Sequence, residues 1–235
     1  MKIDKVYRNE WKYICGAAPL AVLERRLAAV LEKDIHSAPS GNYEIHSLYF
    51  DDYQDICAKE NEAGLPRRFK YRIRYYGACP EQLRLEYKEK LYGRCHKESC
   101  VLTSEQYQEI IEGNARELFW KTEHPLLKRF CVDVMTRMFV PKAIVDYERT
   151  AYVEPIANIR ITLDRNISVS GDTVRFLDGG YQRFPLLPKG QHVLEAKFDY
   201  VLPQYLKRLI PDRNGLVQTA FSKYYLGRVA LQSLT

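Results

Sequence analysis

Basic residues recur at every second position in several separate stretches of the sequence, with an occasional carboxylate in place of a cation. Arg8, Glu10 and Lys12 form one run, and Arg68, Lys70, Arg72 and Arg74 a second. Arg84, Glu86, Lys88 and Lys90 form a third, Arg160, Thr162 and Asp164 a fourth, and Glu195 and Lys197 a fifth. Residues two apart share one face of a β-strand, so each run predicts a strand with a charged face and an apolar one. One such strand is ordinary for a sheet that meets water on one side. The repetition points further: if the strands roll into a barrel with helices outside, the apolar faces pack outward and the charged faces line the interior. An interior lined with unpaired cations costs several kcal/mol per buried ion, so it must hold water and a polyanion. The acidic minority narrows the chemistry. Glu10, Glu86, Asp164 and Glu195 fall on four separate strands, and carboxylates among phosphate-binding cations can hold a divalent metal that bridges phosphate oxygens. For Glu10 and Glu86 the other reading, a carboxylate that merely neutralises a neighbouring arginine, stands beside it.

The elements that position these residues follow from pattern. Alternation predicts strands over residues 7–13, 43–50, 67–76, 83–90, 97–102, 142–152, 159–164 and 193–200. A small hairpin is expected from 166–169 and 173–177 around Ser170-Gly171-Asp172. Leu20, Leu23, Leu27, Val30 and Leu31 form an apolar helical stripe after Pro19, and residues 51–66 read as irregular with at most one helical turn. Ser104 is a candidate N-cap for a helix to Ile111. A second helical stretch, 115–135, is interrupted at Pro125, and further helices are expected over 203–210 and 222–231.

The 235 residues carry 36 Lys+Arg against 30 Asp+Glu, a net charge of +6, with 46% hydrophobic residues. This is a globular composition, which excludes disordered and collagen-like classes. One domain over 1–235 is expected. No apolar run reaches the ~18 residues of a membrane span, and the first residues have no apolar core of a signal peptide, so a cytoplasmic protein is expected. The six cysteines form no CxxC pair, and the Cys95, His96, Cys100 and His124 spacing matches no standard zinc site. The 18 tyrosines are read as alternating away from the charges, which leaves no exposed stacking platform for nucleic acid.

Taken in order, the segments Arg8-x-Glu10-x-Lys12-Tyr13, Ser47-Leu48-Tyr49-Phe50-Asp51, Lys70-Tyr71-Arg72-Ile73-Arg74-x-Tyr76, Leu85-Glu86-x-Lys88, Tyr147-x-Arg149, Arg160-Ile161-Thr162-Leu163-Asp164, Leu194-Glu195-x-Lys197-Phe198 and Phe221-Ser222-Lys223 resemble the VTC domain, the polyphosphate polymerase branch of the triphosphate tunnel metalloenzymes. The resemblance runs from about residue 7 to residue 228. It implies an α+β fold: an antiparallel eight-stranded β-barrel tunnel with flanking helices, in which the triphosphate of ATP and a growing polyphosphate lie along the interior. It also implies that Lys12, Arg72, Arg74, Lys88, Arg149 and Lys223 hold phosphate and that Glu195 ligates Mn2+ or Mg2+. Arg8, Arg160, Lys197 and Lys70 are further substrate-binding candidates, and Glu10, Glu86 and Asp164 further metal candidates.

Phosphoryl transfer needs the γ-phosphorus held in line and its charge neutralised. In a polymerase the attacking phosphate oxygen is already anionic, so no strong base is required, whereas a hydrolase must activate water. His46 and His192 are the histidines nearest the motifs and are expected at strand ends for structural reasons. Hydrolytic and cyclising relatives carry Glu-x-Glu-x-Lys on the first strand, where this sequence has Arg8-x-Glu10-x-Lys12. That substitution favours the polymerase over a tunnel triphosphatase, and a non-catalytic polyphosphate-binding subunit is the third alternative. Eukaryotic relatives add a regulatory domain and a membrane-spanning segment. Coupling synthesis to export here would need a separate membrane-protein partner, which would bring the chain to the inner face of the membrane.

Overall fold

The computed structural model describes residues 5–34, 41–210 and 216–234. The runs with period 2 form strands. β1 (Asn9–Gly16) leads into α1 (Ala17–Ala28), and a two-residue β2 (Glu32–Lys33) precedes β3 (Tyr43–Asp51). α2 (Ile56–Glu62) lies in the stretch expected to be irregular. It is nucleated by Asp51, whose carboxylate accepts the backbone N–H groups of Cys57 and Ala58 at 2.9 and 3.1 Å. β4 (Arg67–Tyr76), β5 (Leu83–Leu91) and β6 (Arg94–Leu102) follow as a meander.

α3 (Ser104–Ile111) is capped by Thr103 rather than Ser104, because Thr103 and Gln106 form a reciprocal capping box. Pro125 divides the next helical stretch into α4 (Ala115–Lys121) and α5 (Pro125–Arg137). It sits at the first position of α5, where its missing N–H costs nothing. The long strands β7 (Val140–Glu154) and β8 (Ile159–Ser170) come next, then β9 (Phe184–Pro185), β10 (Gln191–Phe198), α6 (Gln204–Leu209), β11 (Leu216–Gln218) and α7 (Lys223–Gln232).

The hairpin expected at 166–177 does not form. β8 continues through Asn166 to Ser170 and pairs with β7, and Thr173–Arg175 is a 3-10 turn. The break read at residue 165 is a bulge: the register shifts opposite Asp146/Glu148, and Asn166 adopts φ 51 while its amide donates to Glu148 at 2.7 Å.

All strand pairs are antiparallel. The path is β11-β1-β10-β8-β7-β3-β4-β5-β6, with β2 on β7 and β9 on β8. The run from β1 to β6 contains the eight expected long strands, but the sheet has 11 strands and is not closed by a continuous ladder. Arg8, directly before β1, and Cys95 of β6 exchange two backbone hydrogen bonds of 2.9 Å, which among the described residues is the backbone bridge between the β1 and β6 sides. Further along that edge Tyr13, Ile14 and Cys15 of β1 pair with β11.

The apolar faces point outward and bury two clusters. α1 sets Leu20, Leu23 and Leu27 against Ile161, Leu163, Leu194 and Ala196 of β8 and β10. α5 sets Leu126, Leu127 and Phe130 against β3 and β4, with Phe130 edge-on to Phe50 and Tyr71 at 5.1 and 5.0 Å. The core therefore lies between sheet and helices, and the other face of the sheet is free to carry charge. Among the described residues no helix is long and apolar enough to cross a membrane.

Candidate active site

The inward face encloses a cavity of about 480 Å³. It is lined by Arg8, Lys12, Lys70, Arg72, Arg74, Lys88, Lys97, Arg149, Arg160, Lys197 and Lys223, with Glu10 and Glu195 as the carboxylates. A smaller space of about 50 Å³ adjoins it and extends toward Arg68 and Lys90. Register explains the convergence. Lys12 pairs with Glu195 and Glu10 with Lys197 across β1 and β10; Lys70 pairs with Lys88 across β4 and β5, and Lys88 with Lys97 across β5 and β6.

All the site residues expected from the sequence line this cavity except Glu86 and Asp164, which are set behind it. Glu86 is buried beneath Arg72, taking its Nε and Nη2 at 2.8 and 2.6 Å, with Lys97 at 3.1 Å and Arg74 at 3.7 Å. Asp164 is buried beneath Arg149, taking Nε and Nη2 at 2.6 and 2.8 Å, and also takes the Lys223 ammonium at 2.6 Å. Burial raises the affinity of both carboxyls for a proton, but Arg72 and Arg74 hold Glu86 well below the usual carboxylate range, and Arg149 and Lys223 hold Asp164 down likewise. Their oxygens are spent on orienting cations, so their geometry is that of counter-ions rather than metal ligands. The neutralising alternative weighed for Glu86 therefore describes its contacts.

Glu10 and Glu195 face the cavity. Glu10 meets Lys88 at 2.6 Å and Lys12 at 3.0 Å. Glu195 is buried on the cavity wall, its Oε1 paired with the Lys197 ammonium at 3.1 Å and its Oε2 3.7 Å from Arg149. Burial favours protonation of each, and the Glu10 carboxylate adds to it at Glu195, but Lys12, Lys88 and Lys197 hold Glu10 well below the ordinary value, and Lys197, Lys12 and Lys88 outweigh the opposing effects and lower Glu195. Both carboxyls therefore lose a proton more readily than a free one and are weak bases. Among the described residues no three His, Cys, Asp or Glu side chains are grouped for a metal. Glu10 and Glu195 are the carboxylates on the wall, both paired with lysines; a hard divalent cation there would share them with phosphate oxygens and water.

Lys223 enters from α7. Ser222 caps that helix by accepting the N–H of Tyr225 at 3.3 Å, and Gly227 lets it lie directly on β8. A Cβ at Gly227 would stand 3.0 Å from Val169 Cγ2. Lys12 is steered by the Phe221 carbonyl at 2.9 Å, and Arg8 is held near the rim by Asp199 at 2.7 Å.

Several lining residues escaped the sequence reading. Lys97 continues the alternation of Cys95, Lys97 and Ser99, a signal obscured by its small neighbours. Tyr43, Tyr49, Tyr76 and Tyr147 also line the cavity, which corrects the reading that tyrosines lie away from the charges. Tyr76 has the parity of Arg72 and Arg74, and Tyr147 that of Arg149, so the pattern was visible. Lys223 lies 4.6 Å from the Tyr147 ring centroid, and Arg72 donates to the Tyr49 hydroxyl at 2.9 Å. His46 is central in β3 rather than at a strand end, stacked on Tyr75 and bonded to Asp146 at 2.8 Å. His96 is the histidine on the cavity wall.

The VTC domain family model matches residues 7–232. The chain belongs to the VTC domain family. No match is found among curated proteins. Among solved structures the VTC domain is similar to HpAC1 of Hippeastrum, named as an adenylyl cyclase with a dominant triphosphatase activity, at 16% identity and TM-score 0.54, covering 95% of this chain and 96% of that one. It is also similar to a Bacillus halodurans protein named as an adenylate cyclase, at 11% identity and TM-score 0.49, covering 88% of each, and to PH1819 of Pyrococcus horikoshii, at 12% identity and TM-score 0.46, covering 95% of this chain and 99% of that one. The first of these likenesses shows the tunnel fold.

Proposed function

We propose that this VTC domain is an ATP-dependent polyphosphate polymerase that transfers the γ-phosphoryl group of ATP to the end of a polyphosphate chain with the help of Mn2+ or Mg2+. The observation that carries the reading is the composition of the cavity wall: a continuous cationic lining in which the facing carboxylates, Glu10 and Glu195, are held ionised by lysines. In the reaction a terminal phosphate oxygen of the chain forms a bond to the γ-phosphorus, the bond from that phosphorus to the β-γ bridging oxygen breaks, and ADP leaves. The nucleophile is already anionic, so no proton need be removed. Lys12, Arg72, Arg74, Lys88, Arg149 and Lys223 would hold the phosphates in line and take up equatorial charge. Glu86 and Asp164 keep the arginines in place. A divalent cation at Glu195 would supply further charge neutralisation at phosphate oxygens.

The second reading, a triphosphatase, is favoured by the activity named for the Hippeastrum protein. It requires activated water, and carboxylates held ionised by three lysines are weak bases for that task. The test is to incubate the purified protein with ATP and Mn2+ and resolve the products on a gel. A ladder of phosphate chains is expected. Orthophosphate as the sole phosphorus product beside ADP would transfer the site to the triphosphatase reading, and tight metal-independent binding without turnover would assign a non-catalytic role.

A further inference from the structure

The two ends of the cavity differ in kind. At the end marked by Arg68 and Lys90 the aromatic residues on the cavity wall are covered: Phe221 and Tyr224 are buried, and Phe69 is packed against Tyr71, Tyr87 and Phe139 with Arg137 over its ring; the exposed Tyr92 lies in the turn after β5, outside the lining. That end is lined by Arg68, Lys70, Lys88 and Lys90 together with Glu10, Asn61 and Ser222. At the other end of β4, Tyr76 is 41% exposed. It stands edge-to-face with Tyr43 at 5.8 Å. Both hydroxyls are engaged by arginines, Tyr76 by Arg74 at 3.3 Å and Tyr43 by Arg160 at 3.0 Å, which fixes the rings and leaves the outer face of Tyr76 open at the rim. Gly77, with φ 75, turns the chain away directly afterwards.

Resting on the proposed function, we infer that Tyr76, braced by Tyr43, is the platform on which the nucleobase of the phosphoryl donor stacks. Arg72 and Tyr76 are separated by about 13 Å of strand at roughly 3.3 Å per residue. A nucleotide whose phosphates lie on Arg72 and Arg74 thus has its base at the aromatic rim, and the polyanion runs toward the cationic end. The ring offers a π-face and no base-edge pattern, so purine nucleotides are accepted alike and are distinguished from tripolyphosphate, which has no base.

The test is calorimetric titration of wild-type, Tyr76→Ala and Tyr76→Phe proteins with ATP, GTP and tripolyphosphate. Stacking of a base on an aromatic ring is worth enough that Tyr76→Ala should weaken ATP and GTP roughly tenfold. Tripolyphosphate should change by less than about twofold, and Tyr76→Phe should retain nucleotide affinity. Equal losses for ATP and tripolyphosphate would overturn the inference, since Tyr76 would then act through Arg74, and so would no loss for either. Failure of the wild type to bind either ligand would overturn the proposed function itself.

Discussion

Arg149 and Asp164 face each other across β7 and β8 and are joined by two parallel hydrogen bonds of 2.6 and 2.8 Å, with the carboxylate buried beneath the guanidinium. Lys223 from α7 shares the same carboxylate at 2.6 Å, so one buried anion orients cations from a strand and a helix. Removing one member of a buried ionic group leaves uncompensated charge and costs about 3–5 kcal/mol. Asp164→Asn should therefore lower the unfolding free energy by about that amount in denaturant titration. Added tripolyphosphate should recover part of it, because phosphate oxygens can replace the lost carboxylate. Unchanged stability of the variant would show that Asp164 does not organise the pair.

Gly227 sets how closely α7 approaches β8. A methyl group there would stand 3.0 Å from Val169 Cγ2, with Val145 Cγ2 at 3.7 Å. Gly227→Ala should cost about 1–3 kcal/mol by overpacking. It should also weaken tripolyphosphate binding as Lys223 is displaced, read by calorimetry on the folded fraction. Intact binding in the destabilised variant would separate the helix seat from the site.

Ionisation within the cavity predicts pH dependence. Burial lowers the Lys70 and Lys197 ammonium groups to about 8. Burial raises the Tyr49 phenol, but Arg72, Lys70, Arg74 and Lys223 outweigh it and bring it to about 7. An unfolded lysine keeps its proton to about 10.4. Between about 8 and 10.4 the unfolded chain thus binds more protons, and ligand-free stability should rise with pH across that window. Tyr49 acts in the same sense from about 7 to about 10. A bound polyanion favours the protonated lysines and phenol, so binding near pH 8 should take up protons and weaken as pH rises. Calorimetry in buffers of different ionisation enthalpy measures this. Proton release on binding would contradict it.

Much of the site was legible because a charged residue at every second position marks a strand face whatever the partner strands. The depth of a side chain on that face was not legible. Glu86 and Glu195 have the same sequence signature, and only register distinguishes them: Glu86 lies opposite Arg72, which covers it, whereas Glu195 lies opposite Lys12 and Thr162 and stays on the cavity wall. The strand was expected to end at residue 164 and a hairpin to follow from 166, because the bulge at Asn166 interrupts the alternation just as a strand end does. The Arg8–Cys95 bridge that links the β1 side of the sheet to β6 is a backbone contact and left no trace in residue type.

Glu195 and Arg72 separate two contributions to catalysis. Glu195→Gln removes the charge of the carboxylate paired with Lys197 on the cavity wall. It should lower turnover about 100- to 1,000-fold and weaken the response to added Mn2+, in a variant that still unfolds cooperatively but at a lowered melting temperature, because Arg149 and Lys197 lose a buried counter-charge. Arg72→Ala should abolish turnover while Arg74 and Lys97 continue to neutralise Glu86. Arg72→Lys should restore little, since an ammonium cannot span Glu86 as the guanidinium does. Wild-type rates in either alanine or glutamine variant would remove these residues from the reaction.

The central claim is that the γ-phosphoryl group passes to phosphate rather than to water. Phosphorus NMR of the running reaction with ATP and Mg2+ follows this directly. The γ-phosphate signal of ATP should disappear as ADP and the internal phosphate resonance of a growing chain appear together. Loss of the γ signal into orthophosphate, with no internal chain resonance at any time, would contradict it.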